Sequence, residues 1–165
     1  MILRHILAFI VCLATMFGII YFVAMGHTLM NLYNAYSLWL LPWESGGQYT
    51  AFWSNVRFAV TDYLIRPYTL ATTGPPAQTF VPIAALCLAG FISGLITKHP
   101  LKAIIIGIIC SFIVVIGYFA WGVSGHLDWS SIFGIITGVS GWDYALLFGL
   151  PAGLGMIGGL ITREW

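Results

Sequence analysis

Four apolar runs, each about as long as a membrane-spanning helix, constrain this chain more than any other feature of its sequence. A spanning helix needs about 20 mostly apolar residues to cross a hydrocarbon core roughly 30 Å thick. The runs occupy residues 6–25, 80–97, 101–123 and 142–162. The sequence therefore predicts an all-α polytopic membrane protein with four transmembrane helices, in which residues 1–165 form a single membrane domain.

The composition excludes several classes of protein. Of the 165 residues, 60% are hydrophobic and 7% are charged, which is incompatible with a soluble enzyme or a disordered chain. The formal net charge of +1 is too small to indicate a polyanionic partner, so we expect no nucleic-acid binding.

The positions of the charges predict the orientation of the helices. With four spans, the N-terminus, the turn at 98–102 and the C-terminus lie on one side of the membrane. That side holds four of the six basic residues, Arg4, Lys98, Lys102 and Arg163, which we expect to set the topology. Because Lys and Arg near spanning helices are retained in the cytoplasm, both termini are predicted to be cytoplasmic, in a plasma or inner membrane.

The first apolar run could instead be a cleaved signal peptide, because residues 24–26 loosely resemble a small-residue cleavage site. The run covers about 20 residues, which is longer than a typical signal-peptide apolar region. We therefore expect the first run to be retained as a spanning helix.

The long outer connection, residues 28–79, is too aromatic and too poor in charge for an ordinary solvated loop. In residues 28–79, apolar side chains recur at three- and four-residue spacing over 27–43 and again over 49–66, which predicts two amphipathic interfacial helices. Residues 128–140 contain an apolar run too short to span, which predicts an interfacial or re-entrant helix. The side chains expected to dock on a partner or on the membrane surface are Tyr33, Tyr36, Trp39, Trp43, Phe52 and Trp53.

A weak internal repeat relates two of the spans. Residues 90–98 and 155–163 both end in Gly-Leu-Ile-Thr followed by a basic residue, and the two segments lie 65 residues apart. The simplest interpretation is two parallel helical hairpins related by a twofold axis along the membrane normal. Chance similarity between glycine-rich apolar helices is the alternative.

Small residues at four-residue spacing predict close helix packing. The pairs are Gly90 with Gly94, Gly149 with Gly153, and Gly155 with Gly159. They are expected either to pack helices within this chain or to form a seam with another subunit. Pro151 should kink the fourth span and leave the carbonyl near residue 147 in need of a new partner.

No arrangement of residues indicates catalysis, a cofactor or a metal site. The spans hold no ionisable residue at mid-membrane, which argues against an ion-coupled mechanism. Pairing His5 with His99 and His27 with His126 would place a haem at or beyond the headgroups, because about 33 Å of helix separates His5 from His27. Cys12, Cys87 and Cys110 are expected to be small packing residues.

Three functions of different class follow from this pattern. The favoured one is a non-catalytic subunit that scaffolds or stabilises a larger membrane complex of respiratory, oxidative or secretory type, with other membrane subunits or copies of itself as partners. The second is a small channel or carrier for a neutral solute. The third is a self-assembling membrane or virion-shell protein.

Overall fold

A computed structural model of the chain describes residues 2–24, 63–73, 80–124 and 139–163. The regular structure within these ranges is entirely helical, which confirms the predicted all-α class for this part of the chain. The helices are α1 (Ile2–Ile19), α2 (Pro67–Thr73), α3 (Val81–Thr97), α4 (Pro100–Ser124) and α5 (Gly141–Ile161), and a π-helical turn, Ile20–Ala24, continues α1.

Local sequence signals explain where α3 ends and α4 begins. Lys98 adopts a left-handed backbone conformation with φ of 54°, and its N–H donates to the carbonyl oxygen of Gly94 at 3.1 Å. This left-handed closure ends the helix. Pro100 then starts α4, because the fixed φ of proline suits a first helical position. The two residues between the helices form a tight turn that makes α3 and α4 antiparallel.

A capping box starts α5. The Ser140 hydroxyl oxygen accepts from the Trp142 N–H at 3.3 Å, and the Asp143 carboxylate accepts from the Ser140 N–H at 3.1 Å. Side chains thus satisfy two backbone donors that would otherwise lack partners at the helix end.

Contacts between helices give their relative directions. Gly90 lies against Pro151 and Gly94 against Gly155, so α3 and α5 run parallel. Conversely, Ser111 of α4 bonds to Leu147 of α5, and Pro100 lies against Gly159, so α4 and α5 run antiparallel.

Equivalent residues of the internal repeat also lie close together. A Cβ added to Gly155 would be 3.4 Å from the Gly90 carbonyl oxygen, and one added to Gly94 would be 2.9 Å from the Gly159 nitrogen. Each of these pairs is separated by 65 residues in the sequence. A twofold axis along the bundle would bring equivalent residues together in this way.

Most of the second predicted amphipathic helix, residues 49–62, lies outside the described residues. Of its last four residues, 63–65 are helical and Arg66 is not, and α2 starts at Pro67. The proline explains the break, because it disfavours helical geometry at the preceding residue and suits the first position of a new helix. Leu64, Ile65 and Pro67 are buried, and α2 packs against α3 and α5.

Among the described residues, three helical segments are long and apolar enough to cross a membrane: Leu3–Val23, Pro100–Tyr118 and Gly141–Ile161. The fourth predicted span, Val81–Thr97, is a shorter apolar helix of 17 residues. Large apolar side chains project outward from the bundle, including Leu3 at 80% exposure and Ile116 at 62%. Such an apolar surface is suited to contact with lipid, which indicates an integral membrane protein.

Candidate functional site

Glycines bring the backbones of α3 and α5 into direct contact. A Cβ on Gly90 would lie 2.6 Å from the Pro151 Cα, and a Cβ on Gly94 would lie 2.9 Å from the Gly155 carbonyl carbon. Real Cβ atoms do not approach backbone this closely, so larger residues would push the two helices apart. Gly90, Gly94, Gly155 and Gly159, four of the six predicted packing glycines, lie at contacts between helices within this chain.

A glycine of α4 meets the same proline from the other side. A Cβ on Gly107 would lie 2.8 Å from the Pro151 carbonyl carbon, so the backbone at Pro151 is held between Gly90 and Gly107. Gly107 is not among the six glycines predicted to pack helices. A signal for it exists, because Ala103, Gly107 and Ser111 are buried small residues at four-residue spacing on α4.

Gly158 is a second close contact that the sequence analysis missed. A Cβ there would lie 2.5 Å from the Phe91 carbonyl oxygen and 3.1 Å from the Leu95 nitrogen. Gly158 lies three residues after Gly155, and positions three apart share a helix face. Four-residue spacing alone therefore does not reveal the pair Gly155 and Gly158.

The remaining predicted pair, Gly149 and Gly153, lies on a different face of α5. Both residues are exposed, and a Cβ added to either would meet nothing within 4 Å among the described residues. With the exposed residues Trp142, Ala145 and Met156 they form one stripe along the helix. We call this stripe the open glycine face: Trp142, Ala145, Gly149, Gly153 and Met156.

Ser111 supplies the partner that the freed Leu147 carbonyl in α5 requires. Because Pro151 has no N–H, the carbonyl of Leu147 loses its helical donor. The Ser111 hydroxyl, on α4, donates to the Leu147 carbonyl oxygen at 2.6 Å and also lies 3.0 Å from the Gly107 carbonyl oxygen. Leu147 and Ser111 are both fully buried, so water cannot take this role.

Asp143 joins the start of α2 to the start of α5, at the end of the bundle away from the turn between α3 and α4. One carboxylate oxygen accepts from the Tyr68 and Thr69 N–H groups at 2.7 and 2.9 Å. The other accepts from the Thr69 hydroxyl at 2.6 Å and from the Ser140 N–H at 3.1 Å. The carboxylate is fully buried and therefore fastens α2 to the start of α5.

Two of the three cysteines meet in the interior of the bundle. Cys12 of α1 and Cys110 of α4 are fully buried in the same core, and their thiols are neighbours. The Cys110 thiol also lies 3.9 Å from the Phe9 carbonyl oxygen, and Ser93 of α3 is adjacent to Cys12. Cys87 is only half-buried. The thiol pair thus marks where α1 approaches α3 and α4.

The basic residues expected to set the topology share one end of the bundle. Arg4 lies at the start of α1, Lys98 and Lys102 flank the turn between α3 and α4, and Arg163 follows α5. The contact between Gly159 and Pro100 joins the end of α5 to that turn. Also at this end, His5 lies within electrostatic reach of His99.

Other predicted features fall partly or wholly outside the described residues. Tyr33, Tyr36, Trp39, Trp43, Phe52 and Trp53 lie outside them, as do the first predicted amphipathic helix, His27 and His126, and nearly all of 128–140. Within the ranges that the structure describes, no group of three or more His, Cys, Asp or Glu side chains could hold a metal ion.

The sequence of the chain matches no protein-family model, and comparisons with curated proteins and with solved structures also give no match. Any functional inference therefore rests on the residues and the geometry described above.

Proposed function

We propose that this protein is a non-catalytic integral membrane subunit that packs against partner helices in a larger membrane assembly. The open glycine face of α5 carries this proposal. Its two glycines are not needed to pack α5 against α3 or α4, because the other glycines of α5 make those contacts. A neighbouring helix from a partner is the natural occupant of such a surface.

The physics of helix association in lipid supports this proposal. Lipid tails are as apolar as helix surfaces, so helices associate through close packing, which small residues permit. Glycine inside a helix costs about 1 kcal/mol relative to alanine in water. Gly149 and Gly153 gain no close contact within the described chain to offset that cost. A partner backbone lying against these two glycines would supply the close contact.

We further propose that α3 is a fourth span and that both termini are cytoplasmic. At 1.5 Å per residue the 17 residues of α3 extend about 25 Å, so modest local thinning of the bilayer would accommodate them. The parallel packing of α3 on the longer α5 supports a spanning position. The shared end of Arg4, Lys98, Lys102 and Arg163 supports the cytoplasmic assignment, because basic residues are retained there.

The test is native mass spectrometry of the chain extracted with a mild detergent from its own membranes, with every component identified. The test variant carries Gly149→Leu and Gly153→Leu together. Overpacking a tight interface costs about 1–3 kcal/mol, so we expect association with partners to fall about 5- to 150-fold. Gly18→Leu is the matched control, because Gly18 also has nothing within 4 Å but lies on α1.

A second control separates lost assembly from lost folding. Gly94→Leu should destabilise the chain itself, since a Cβ there meets the backbone of α5. The double variant should instead keep the wild-type thermal stability as an isolated chain.

Four results would contradict the subunit function. The wild-type chain could be recovered alone, or the double variant could keep its partners. Flux of a neutral solute through liposomes containing the isolated chain would favour the channel or carrier. Uniform large oligomers of the isolated chain would favour the shell protein.

A further inference from the structure

The basic end of the bundle concentrates cationic side chains from two helices that start side by side. His5, in the first turn of α1, lies within electrostatic reach of Arg4, His99 and Lys102, and the last two belong to the turn and first residues of α4. We call these four residues the basic cluster: Arg4, His5, His99 and Lys102. All are exposed or half-exposed, so an external ligand can reach them.

The described part of the chain offers the basic cluster no counter-charge. The one carboxylate side chain among the described residues, Asp143, lies at the other end of the bundle and accepts hydrogen bonds from α2. Arg4 and Lys102 carry like charges at the same end of the bundle, so they repel, and an anion bound between them would relieve that repulsion.

Apolar side chains flank the cluster. Leu3 precedes Arg4 and is 80% exposed, and Leu101 precedes Lys102 and is 65% exposed. A ligand with an anionic head and an apolar body would contact the basic side chains and both leucines. A free phosphate ion would leave the leucines uncovered.

We propose that the basic cluster binds the phosphate headgroup of an anionic glycerophospholipid, with the acyl chains lying along α1 and α4. Arg4 and Lys102 neutralise the phosphate charge. Basic pockets between spanning helices are suited to such headgroups. This inference is independent of the proposed assembly, because it concerns the single chain and its lipid.

Native mass spectrometry of the purified full chain in detergent tests the proposal. The chain is titrated with phosphatidylglycerol and, separately, with phosphatidylcholine of the same acyl chains. We expect retention of one phosphatidylglycerol at lower concentration than phosphatidylcholine. Because each basic residue near an anionic headgroup strengthens binding about fivefold, Arg4→Gln and Lys102→Gln should each weaken phosphatidylglycerol binding about fivefold.

The control variant is Arg66→Gln, which removes one positive charge near the opposite end of the bundle and should leave phosphatidylglycerol binding unchanged. In a competition experiment, soluble glycerol phosphate should fail to displace the bound lipid. Thermal unfolding in detergent provides a second readout, in which phosphatidylglycerol raises the Tm of the wild type more than that of the two variants.

Several outcomes would overturn the proposal. These are equal binding of the two lipids by the wild type, wild-type affinity in Arg4→Gln and Lys102→Gln, or displacement of the lipid by glycerol phosphate. Displacement would identify a site for a free phosphate rather than for a lipid. A variant that unfolds is replaced by Arg4→Lys or Lys102→Arg, which keep the charge and should retain binding.

Discussion

At the scale of single residues, Pro151 leaves a backbone carbonyl without its helical donor, and a serine on another helix replaces that donor. A proline inside a helix normally destabilises it by about 3 kcal/mol, partly through the lost hydrogen bond. Here Ser111 restores a donor to the freed Leu147 carbonyl. Gly90 and Gly107 then allow α3 and α4 to approach the proline directly. Pro151 is therefore accommodated by the packing of three helices.

Removing the Ser111 hydroxyl should destabilise the bundle. In Ser111→Ala the buried Leu147 carbonyl has no donor, which costs about 1–3 kcal/mol. Thermal or denaturant unfolding in detergent measures the loss. Ser93→Ala is the comparison variant, because Ser93 is equally buried and donates to the Gly90 carbonyl of its own helix, which keeps its normal helical donor. Equal stability of the two variants would show that the bond between helices is unimportant.

Asp143 should be essential for holding α2 on the bundle. In Asp143→Asn an amide NH₂ replaces one of the two accepting oxygens and faces donors instead, which costs about 1–3 kcal/mol. We expect the Tyr68 and Thr69 amides to exchange hydrogen roughly 5- to 150-fold faster, measured by hydrogen–deuterium exchange.

The control for this prediction is Thr72→Val. Its hydroxyl is exposed and bonds only to carbonyls within α2. Exchange at Tyr68 and Thr69 should remain at the wild-type rate in this variant. Unchanged exchange in Asp143→Asn itself would mean that the carboxylate does not fasten α2.

At the scale of helices, α3 has a central position. It packs against α1 on one side and against α5 on the other, and the interface with α5 is the most extensive in the described chain. Small residues on both helices explain this, because close backbone approach increases the contact between helices.

The approach of α1 to α4 can be tested with the native cysteines. A mild membrane-permeant disulfide reagent should oxidise Cys12 and Cys110 to a bond between the two helices, with the reagent reduced to thiols. Cys87 should remain free in the folded chain. Mass spectrometry of peptides digested without reduction identifies the linkage. A bond from Cys87 to either other cysteine would contradict the observed packing.

At the scale of the whole molecule, the bundle has chemically different ends. Basic residues collect where α1 and α4 begin, and the buried Asp143 lies where α2 meets α5. The outward-facing apolar side chains lie on the helices between these ends. This distribution favours a single orientation across a bilayer.

Cysteine labelling tests that orientation. In a background with the native cysteines replaced by alanine, Phe80→Cys and His99→Cys place exposed thiols at the two ends of α3. An impermeant maleimide applied to intact cells should label residue 80 and leave residue 99 unlabelled until the membrane is opened. Labelling of both positions in intact cells would contradict a spanning α3 with cytoplasmic termini.

Much of the fold was predictable from the sequence because its causes are local. Long apolar runs, the Lys98 to Pro100 turn and the Ser140 cap act within a few residues, so the predicted spans match the helices to within a few residues at most ends. Glycine spacing and Pro151 also predicted that close packing and a replaced hydrogen bond would occur.

Only the tertiary structure decided which face of each helix is used and what it meets. A helix that is apolar all round, such as α5, has no amphipathic pattern that selects its inward side. The sequence therefore could not separate the buried Gly155 from the open Gly149, or name Ser111 as the donor to Leu147. These choices depend on the rotation and neighbours of whole helices, which arise only when the bundle packs together.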